Sequence, residues 1–258
     1  MTAARKIFVV GGCGFVGQAI CRSALTRGWK VVSLSRHGTP DRSAATQDHA
    51  TGHLDNRVQW IKGSALEPET YKHHLAGCDA VVHTVGVLME NSYKKLVNIG
   101  SNSSSHAAGT YESANRDTAL CVARAARETS GVSAFAYISA SDVLPFLDPR
   151  YISTKREVER NLLAHQDLMR PIILRPGFMY SSTRPITLPI AAGVDMFQTL
   201  FHRTPLGCVL KGTPFAKAAS PALRRERVAD AIINAIADPQ VSGILEIADI
   251  ERISQQRV

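Results

Sequence analysis

Two spacings in this chain could do chemistry. The first is Tyr151-Ile-Ser-Thr-Lys155, the one Tyr-x-x-x-Lys in the sequence. On a helix, positions four apart share a face, so the phenol and the ammonium point into one cleft. A nearby ammonium favours the phenolate and lowers the tyrosine pKa toward working pH, which makes the phenol a general acid or base. The second is Gly11-Gly-Cys-Gly14-Phe-Val-Gly17, three glycines spaced G-x-x-G-x-x-G. Gly11 makes a tight turn, Gly14 lets the backbone approach a pyrophosphate, and Gly17 lets a helix pack close to a strand. The N–H groups opening that helix face the phosphates. The loop, including Gly12, Phe15 and Val16, therefore reads as a dinucleotide cradle.

The elements around these residues suit that reading. An apolar strand from Lys6 runs into the glycine loop, a helix follows from about Phe15 to Arg27, and a second strand spans Trp29 to Ser35. This is one βαβ unit, the context the motif needs. The second strand ends at Ser35 and Arg36 rather than at the Asp or Glu that would hold an NAD ribose. A hydroxyl and a guanidinium attract a 2′-phosphate, so the expected cofactor is NADP(H) in preference to NAD(H).

Further strands are expected at Val58–Lys62, Ala80–Thr84, Ala134–Ser139, Arg170–Arg175 and Gly243–Ile247. Helices are expected at Tyr71–Ala76, Tyr111–Thr129, Tyr151–His165 and Val228–Ala237. Alternating strands and helices predict an α/β fold, a doubly wound Rossmann-like parallel sheet. Residues 1–258 are expected to form a single domain, with 177–220 as a small substrate-side cap. Ser64 and Ala65 follow the third strand, where adenine would lie. Thr84, Val85 and Gly86 end the fourth strand, where Gly86 admits the cofactor ribose. Residues 37–57 and 89–110 read as polar loops.

Composition narrows the function classes. The chain has 258 residues and a formal net charge of +8. That charge suits anionic partners, but no dense basic run or nucleic-acid motif accompanies it. Five cysteines, at 13, 21, 78, 121 and 208, form no Cys-x-x-Cys and no metal-ligand spacing. They point to a reducing compartment, with no structural metal. No apolar run reaches the length of a membrane span, so any membrane contact is expected to be peripheral. With the first strand beginning by Lys6, the sequence as given leaves no room for a targeting segment, and a presequence removed by cleavage stays open.

With these residues the chain resembles the short-chain dehydrogenase/reductase superfamily over roughly residues 6–250. The matching positions are the loop at 11–17, the strand end at 84–86, Asn115, Ser139, Tyr151 with Lys155, and Arg175-Pro176-Gly177. The resemblance implies that Tyr151 transfers a proton, Lys155 holds the nicotinamide ribose, Ser139 polarises a carbonyl and Asn115 holds a relay water. Pro176, Gly177 and Phe178 would close over the nicotinamide. More narrowly the chain resembles the atypical branch that includes the 39-kDa accessory subunit of respiratory complex I, and within it the fungal mitochondrial reductase-like proteins of coenzyme Q biosynthesis. Tyr151–Glu159 and Arg170–Met179 carry most of that likeness, with further matches at 14–21, 31–36, 81–91 and 137–140. Three departures stand out. Ala140 sits where the family serine or threonine is usual, flanked by Ser139 and Ser141. Ser64 replaces an aspartate that touches adenine. The stretch from Ser139 to Tyr151 is short for extended members.

Three readings follow. The first is an NADP-dependent oxidoreductase in ubiquinone (coenzyme Q) biosynthesis, acting on a quinone-like or carbonyl intermediate with Tyr151 as proton donor. Phe178, Phe197, Leu200 and Phe201 would line its apolar cap. The second is a non-catalytic NADP(H)-binding subunit among coenzyme Q biosynthetic complex proteins. The third is a sugar-nucleotide epimerase or dehydratase, which the short substrate region disfavours. The resemblance implies a mitochondrial location, on the matrix side of the inner membrane.

Overall fold

The computed structural model describes residues 4–40, 56–86, 112–141, 149–181 and 221–256. Seven strands form one parallel sheet: β1 (Lys6–Val10), β2 (Lys30–Ser35), β3 (Val58–Lys62), β4 (Ala80–His83), β5 (Ala134–Ile138), β6 (Arg170–Leu174) and β9 (Gly243–Leu245). Their order is β3-β2-β1-β4-β5-β6-β9. The direction of winding reverses between β1 and β4, and in open α/β sheets ligands bind in the crevice at that switch point. A separate short pair joins β7 (Met179–Tyr180) to β8 (Leu223–Arg224).

Apolar runs build the sheet, because helices cover both faces and each strand must be apolar on both sides. In β1, Ile7 and Val9 enter one core layer while Phe8 and Val10 enter the other. The first layer is closed by α1 (Phe15–Thr26), α5 (Arg225–Ala237) and α6 (Ile247–Ser254). The second is closed by α2 (Lys72–Leu75), α3 (Thr118–Arg127) and α4 (Pro149–Ala164). A 3₁₀ turn at Pro68–Thr70 leads into α2, and a π-helical turn at Glu112–Asp117 leads into α3.

Polar contacts fix how the first-layer helices sit. Ser23 donates to Asp230 at 2.6 Å and Arg27 to Asn234 at 2.6 Å, joining α1 to α5. The Asn234 amide donates to the Ile253 and Gln256 carbonyls at the end of α6, at 2.8 Å each. Arg5 and Arg170 donate to carbonyls that end α5, where positive charge also complements the helix dipole.

Register aligns the strand ends. Val10 pairs with Leu34 and His83, His83 with Tyr137, and Ile138 with Leu174, which pairs with Leu245. The glycine loop, Thr84–Gly86, Ser139–Ser141 and Arg175–Gly177 therefore leave the sheet along one edge.

Three differences from the sequence reading have physical causes. The helix expected over Tyr111–Thr129 is a π turn followed by α3, because Asn115 is turned inward and buried. The strand expected to run to Ile247 stops at Leu245, since Glu246 and Asp249 form a reciprocal capping box that starts α6. That helix was not foreseen. The other helix and strand ends lie within a few residues of expectation. Most of the expected loops, Tyr111 and the cap positions Phe197, Leu200 and Phe201 lie outside the described residues.

Phe135 on β5 is fully enclosed in the second layer. Phe135→Ala is expected to lower stability by about 3–5 kcal/mol, read as a fall in the denaturant midpoint at unchanged slope. A loss below about 1 kcal/mol would contradict this packing.

Candidate active site

The glycine loop begins where β1 ends. Gly11 has φ +87°, a left-handed turn that glycine adopts without strain. A Cβ on Gly17 would lie 2.2 Å from the Gly11 carbonyl oxygen and 2.7 Å from the Gly12 Cα. Helix and loop backbone are thus in contact, with room for hydrogen alone. Gly14 caps α1, with no side-chain cap and no acidic residue in the first turn. This end can receive an anion without a competing carboxylate. Arg225 braces it from α5. Its side chain is 2% exposed, its guanidinium lies 5.2 Å from the Phe15 ring centroid, and it donates to the Phe15 carbonyl at 3.4 Å. Sequence reasoning missed Arg225, whose partner Phe15 lies far away in the chain.

Val16 is buried beneath the loop. Thr84 ties β4 to it, donating to the Val10 and Gly11 carbonyls at 2.9 and 3.2 Å. Val85 packs into the second layer, and Gly86 is exposed above it. At the end of β2, the Ser35 hydroxyl donates to the Gly38 carbonyl at 2.6 Å, with the Cys13 thiol 3.3 Å away. Its proton is used within the turn, and Arg36 beside it is exposed. Ser64 closes its own turn, accepting the Leu66 N–H at 3.3 Å, and Ala65 packs on the second layer.

The second half of the site stands on α4 and the π turn. Tyr151 and Lys155 are 7% and 2% exposed. Lys155 Nζ donates to the Ile138 carbonyl at 3.0 Å and lies 4.8 Å from the Tyr137 ring centroid and 5.8 Å from that of Tyr151. A Cβ on Gly86 would stand 3.0 Å from both Lys155 Nζ and Asn115 Oδ1. Gly86, Asn115, Tyr151 and Lys155 are therefore brought together at the switch point. Burial pushes the Lys155 ammonium down to about 7, against the opposing pull of Glu159. The Asn115 carbonyl accepts from Tyr137 at 3.2 Å.

Ser139 is placed differently. Its buried hydroxyl donates to Glu159 at 2.5 Å, and Arg156 approaches it at 3.2 Å. Ser141 is buried with its N–H on the Pro176 carbonyl at 3.0 Å. Glu159 is the hub. It also accepts from Arg156 at 2.6 Å and from Arg175 at 2.5 and 3.0 Å. Burial alone would raise its pKa, but these hydrogen bonds and charges outweigh it and hold the carboxylate ionised. Arg156 donates to the Ala140 carbonyl, and Arg175 to Glu246 at 2.8 Å. One carboxylate thus fastens the ends of β5 and β6 to α4, and Arg175 carries the link on to Glu246 after β9. Glu159 and Arg156 were missed, although Glu159 follows Lys155 by four residues and Tyr151 by eight, on one helical face. Gly177 lies against Ile247, Pro176 is buried and Phe178 is half-buried.

No group of three or more His, Cys, Asp or Glu among the described residues could hold a metal ion. Nor is any helix among them long and apolar enough to cross a membrane.

A family model described as NAD(P)H-binding matches residues 11–239, and the chain belongs to that family. It is 29% identical to MIOREX complex component 2 of Saccharomyces cerevisiae, covering 95% of this chain and 98% of that protein. It is 25% identical to a 4-hydroxy-2-methyl-3-oxo-4-farnesyl-3,4-dihydroquinoline-1-oxide ketoreductase of Stigmatella aurantiaca, over 71% of this chain and 53% of that one. The crystal structure of a short-chain dehydrogenase/reductase family oxidoreductase from Burkholderia thailandensis has the same fold, with TM-score 0.61 and 18% identity over 95% of this chain and 92% of that one.

Lys155 titrates at about 7 in the fold against an ordinary 10.5. Between those values the unfolded chain binds more protons, so this group adds stability as pH rises through the window and loses it as pH falls to about 7. The melting temperature of the wild type minus that of Lys155→Met is expected to climb from about pH 7 to 10. A difference flat across that range would contradict the lowering of Lys155 by burial.

Proposed function

We propose that this member of the NAD(P)H-binding family is an NADP(H)-dependent reductase of the short-chain dehydrogenase type, reducing a carbonyl or quinone-type intermediate of ubiquinone biosynthesis with Tyr151 as proton donor. The carrying observation is the convergence of Gly86, Asn115, Tyr151 and Lys155 beside the glycine cradle. The residues present fit a dinucleotide: an uncapped helix end free of acids, a loop where Gly17 leaves no space for a side chain, and Arg36 for a 2′-phosphate.

Bound NADPH would supply the hydride. The chain's own groups would manage the proton. Tyr151 gives its phenolic proton to the developing alkoxide or quinol oxygen, and Lys155 favours the phenolate left behind. Asn115 stands beside Lys155 to hold a relay water. Ser139 can polarise a carbonyl only by giving up its bond to Glu159, which leaves Ser141 as the other candidate. The substrate class draws support from the Stigmatella ketoreductase, whose name describes a farnesylated ring ketone.

A second reading, a non-catalytic subunit that holds NADP(H), draws support from the full-length likeness to a complex component and from the commitment of Ser139 to Glu159. Retained cofactor would stabilise such a subunit by mass action. Both readings fit a site of action among coenzyme Q biosynthetic proteins on the matrix side of the mitochondrial inner membrane.

Arg36→Glu is expected to weaken NADPH relative to NADH by about 10–100-fold in fluorescence titrations. An unchanged ratio would overturn the NADP assignment. Tyr151→Phe is expected to leave NADPH affinity intact and to cut reduction of a farnesylated benzoquinone probe by about 10²–10⁴-fold. In cells lacking the wild-type chain, that variant should fail to restore ubiquinone. Full restoration would sink the catalytic reading in favour of the subunit reading.

A further inference from the structure

His83 ends β4 with its side chain fully enclosed, yet among the described residues neither Nδ1 nor Nε2 has a hydrogen-bond partner. Leaving a buried polar group unmade costs about 1–3 kcal/mol, so the imidazole calls for an explanation. Its surroundings supply one. His83 follows Val81 by two residues and so shares the second-layer face. In register it pairs with Tyr137, and the two ring centroids are 5.8 Å apart. The same Tyr137 ring has Lys155 Nζ 4.8 Å from its centroid. Three residues beyond His83, Gly86 marks the point where Lys155 Nζ and Asn115 Oδ1 converge.

Around His83, β1 contributes apolar Val10 and β5 contributes Tyr137. The π turn contributes Asn115, which does not titrate and whose carbonyl meets Tyr137, and α4 contributes Lys155, whose charge reaches His83, with Tyr151, Glu159 and Arg156 reaching Tyr137. Burial, reinforced by the Lys155 charge, pushes His83 down to about 3, so the ring is neutral at physiological pH. A neutral imidazole has one acceptor nitrogen and one N–H donor. The Lys155 ammonium has three donors, of which the Ile138 carbonyl takes one.

Resting on the reading of Tyr151 and Lys155 as the proton-transfer pair, we propose that His83 is a positioning residue for Lys155: its neutral imidazole accepts, through one buried water, an N–H of the Lys155 ammonium and fixes where that ammonium stands relative to Tyr151. Asn115 Oδ1 gives the same water a further partner, within the two to four that a buried water needs. His83 touches neither substrate nor cofactor in this scheme.

The test follows the titration of Lys155 in the full chain carrying ¹³Cε-labelled lysine, its resonance assigned by its loss in Lys155→Met. His83→Phe, which removes the acceptor, is expected to shift the Lys155 midpoint down by about one pH unit. His83→Gln, which keeps an acceptor, is expected to return it most of the way. A wild-type midpoint in His83→Phe, or equal displacement by Phe and Gln, would overturn the proposal. If His83→Phe does not fold, ¹⁵N-histidine spectra give the answer from the other side. The acceptor nitrogen of His83 should move toward the free imidazole value in Lys155→Met, and an unmoved resonance would equally overturn it. Neither readout needs cofactor or turnover. Failure to bind NADPH therefore counts against the proposed function alone, and an unshifted Lys155 counts against His83 alone.

Discussion

The approach of α1 to β1 is the contact on which the site depends. Gly17 lies so near the Gly11 carbonyl that a single added carbon would sit 2.2 Å from it. That closeness sets the uncapped end of α1 directly over the end of β1, where phosphate can meet backbone N–H groups and the helix dipole together. A side chain at position 17 would push the helix away from the strand and dismantle the cradle. Arg225 reinforces the geometry by bracing Phe15 from α5, so the first core layer holds the cofactor half of the site in place.

The second half depends on a different interaction, the buried Glu159 carboxylate. Its bonds to Ser139 and Arg175 join the ends of β5 and β6 to the helix that carries Tyr151 and Lys155, and Arg156 of the same helix closes the network. Breaking such a pair by removing one partner is far more costly than the pair's net worth, because the remaining charge stays buried. The network therefore serves to define geometry. It holds the strand ends against α4, while Lys155, one turn before Glu159, takes the Ile138 carbonyl and faces the cleft. The parallel register of β1, β4 and β5 then sets the two halves side by side.

Much of this was legible in the sequence because it is local. The glycine spacing, the apolar strands and the Tyr151/Lys155 pair each lie within a few residues, and their periodicity carries the structural meaning. Groups whose partners are distant in the chain were not legible. Nothing near Ser139 announces that its hydroxyl meets Glu159, and nothing near Arg225 announces Phe15. The π turn was hidden because its cause, the inward rotation of Asn115 toward Gly86 and Lys155, is tertiary. The last helix was concealed by its unusual Glu246 cap and its short length, although Ile247, Ile250 and Ile253 stand three apart as on one helical face. His83 was visible as a lone polar residue in an apolar strand, but its neighbours Tyr137 and Lys155 come from other elements.

The most direct test of the account is hydrogen exchange of the full chain with and without NADPH, read by mass spectrometry. The account predicts slowed exchange in peptides spanning Gly11–Gly17, Ser35–Gly38, Thr84–Gly86 and Tyr151–Lys155, with weaker slowing for NADH at equal concentration. Unchanged exchange in all four, or protection confined to another edge of the sheet, would contradict a dinucleotide site at the switch point.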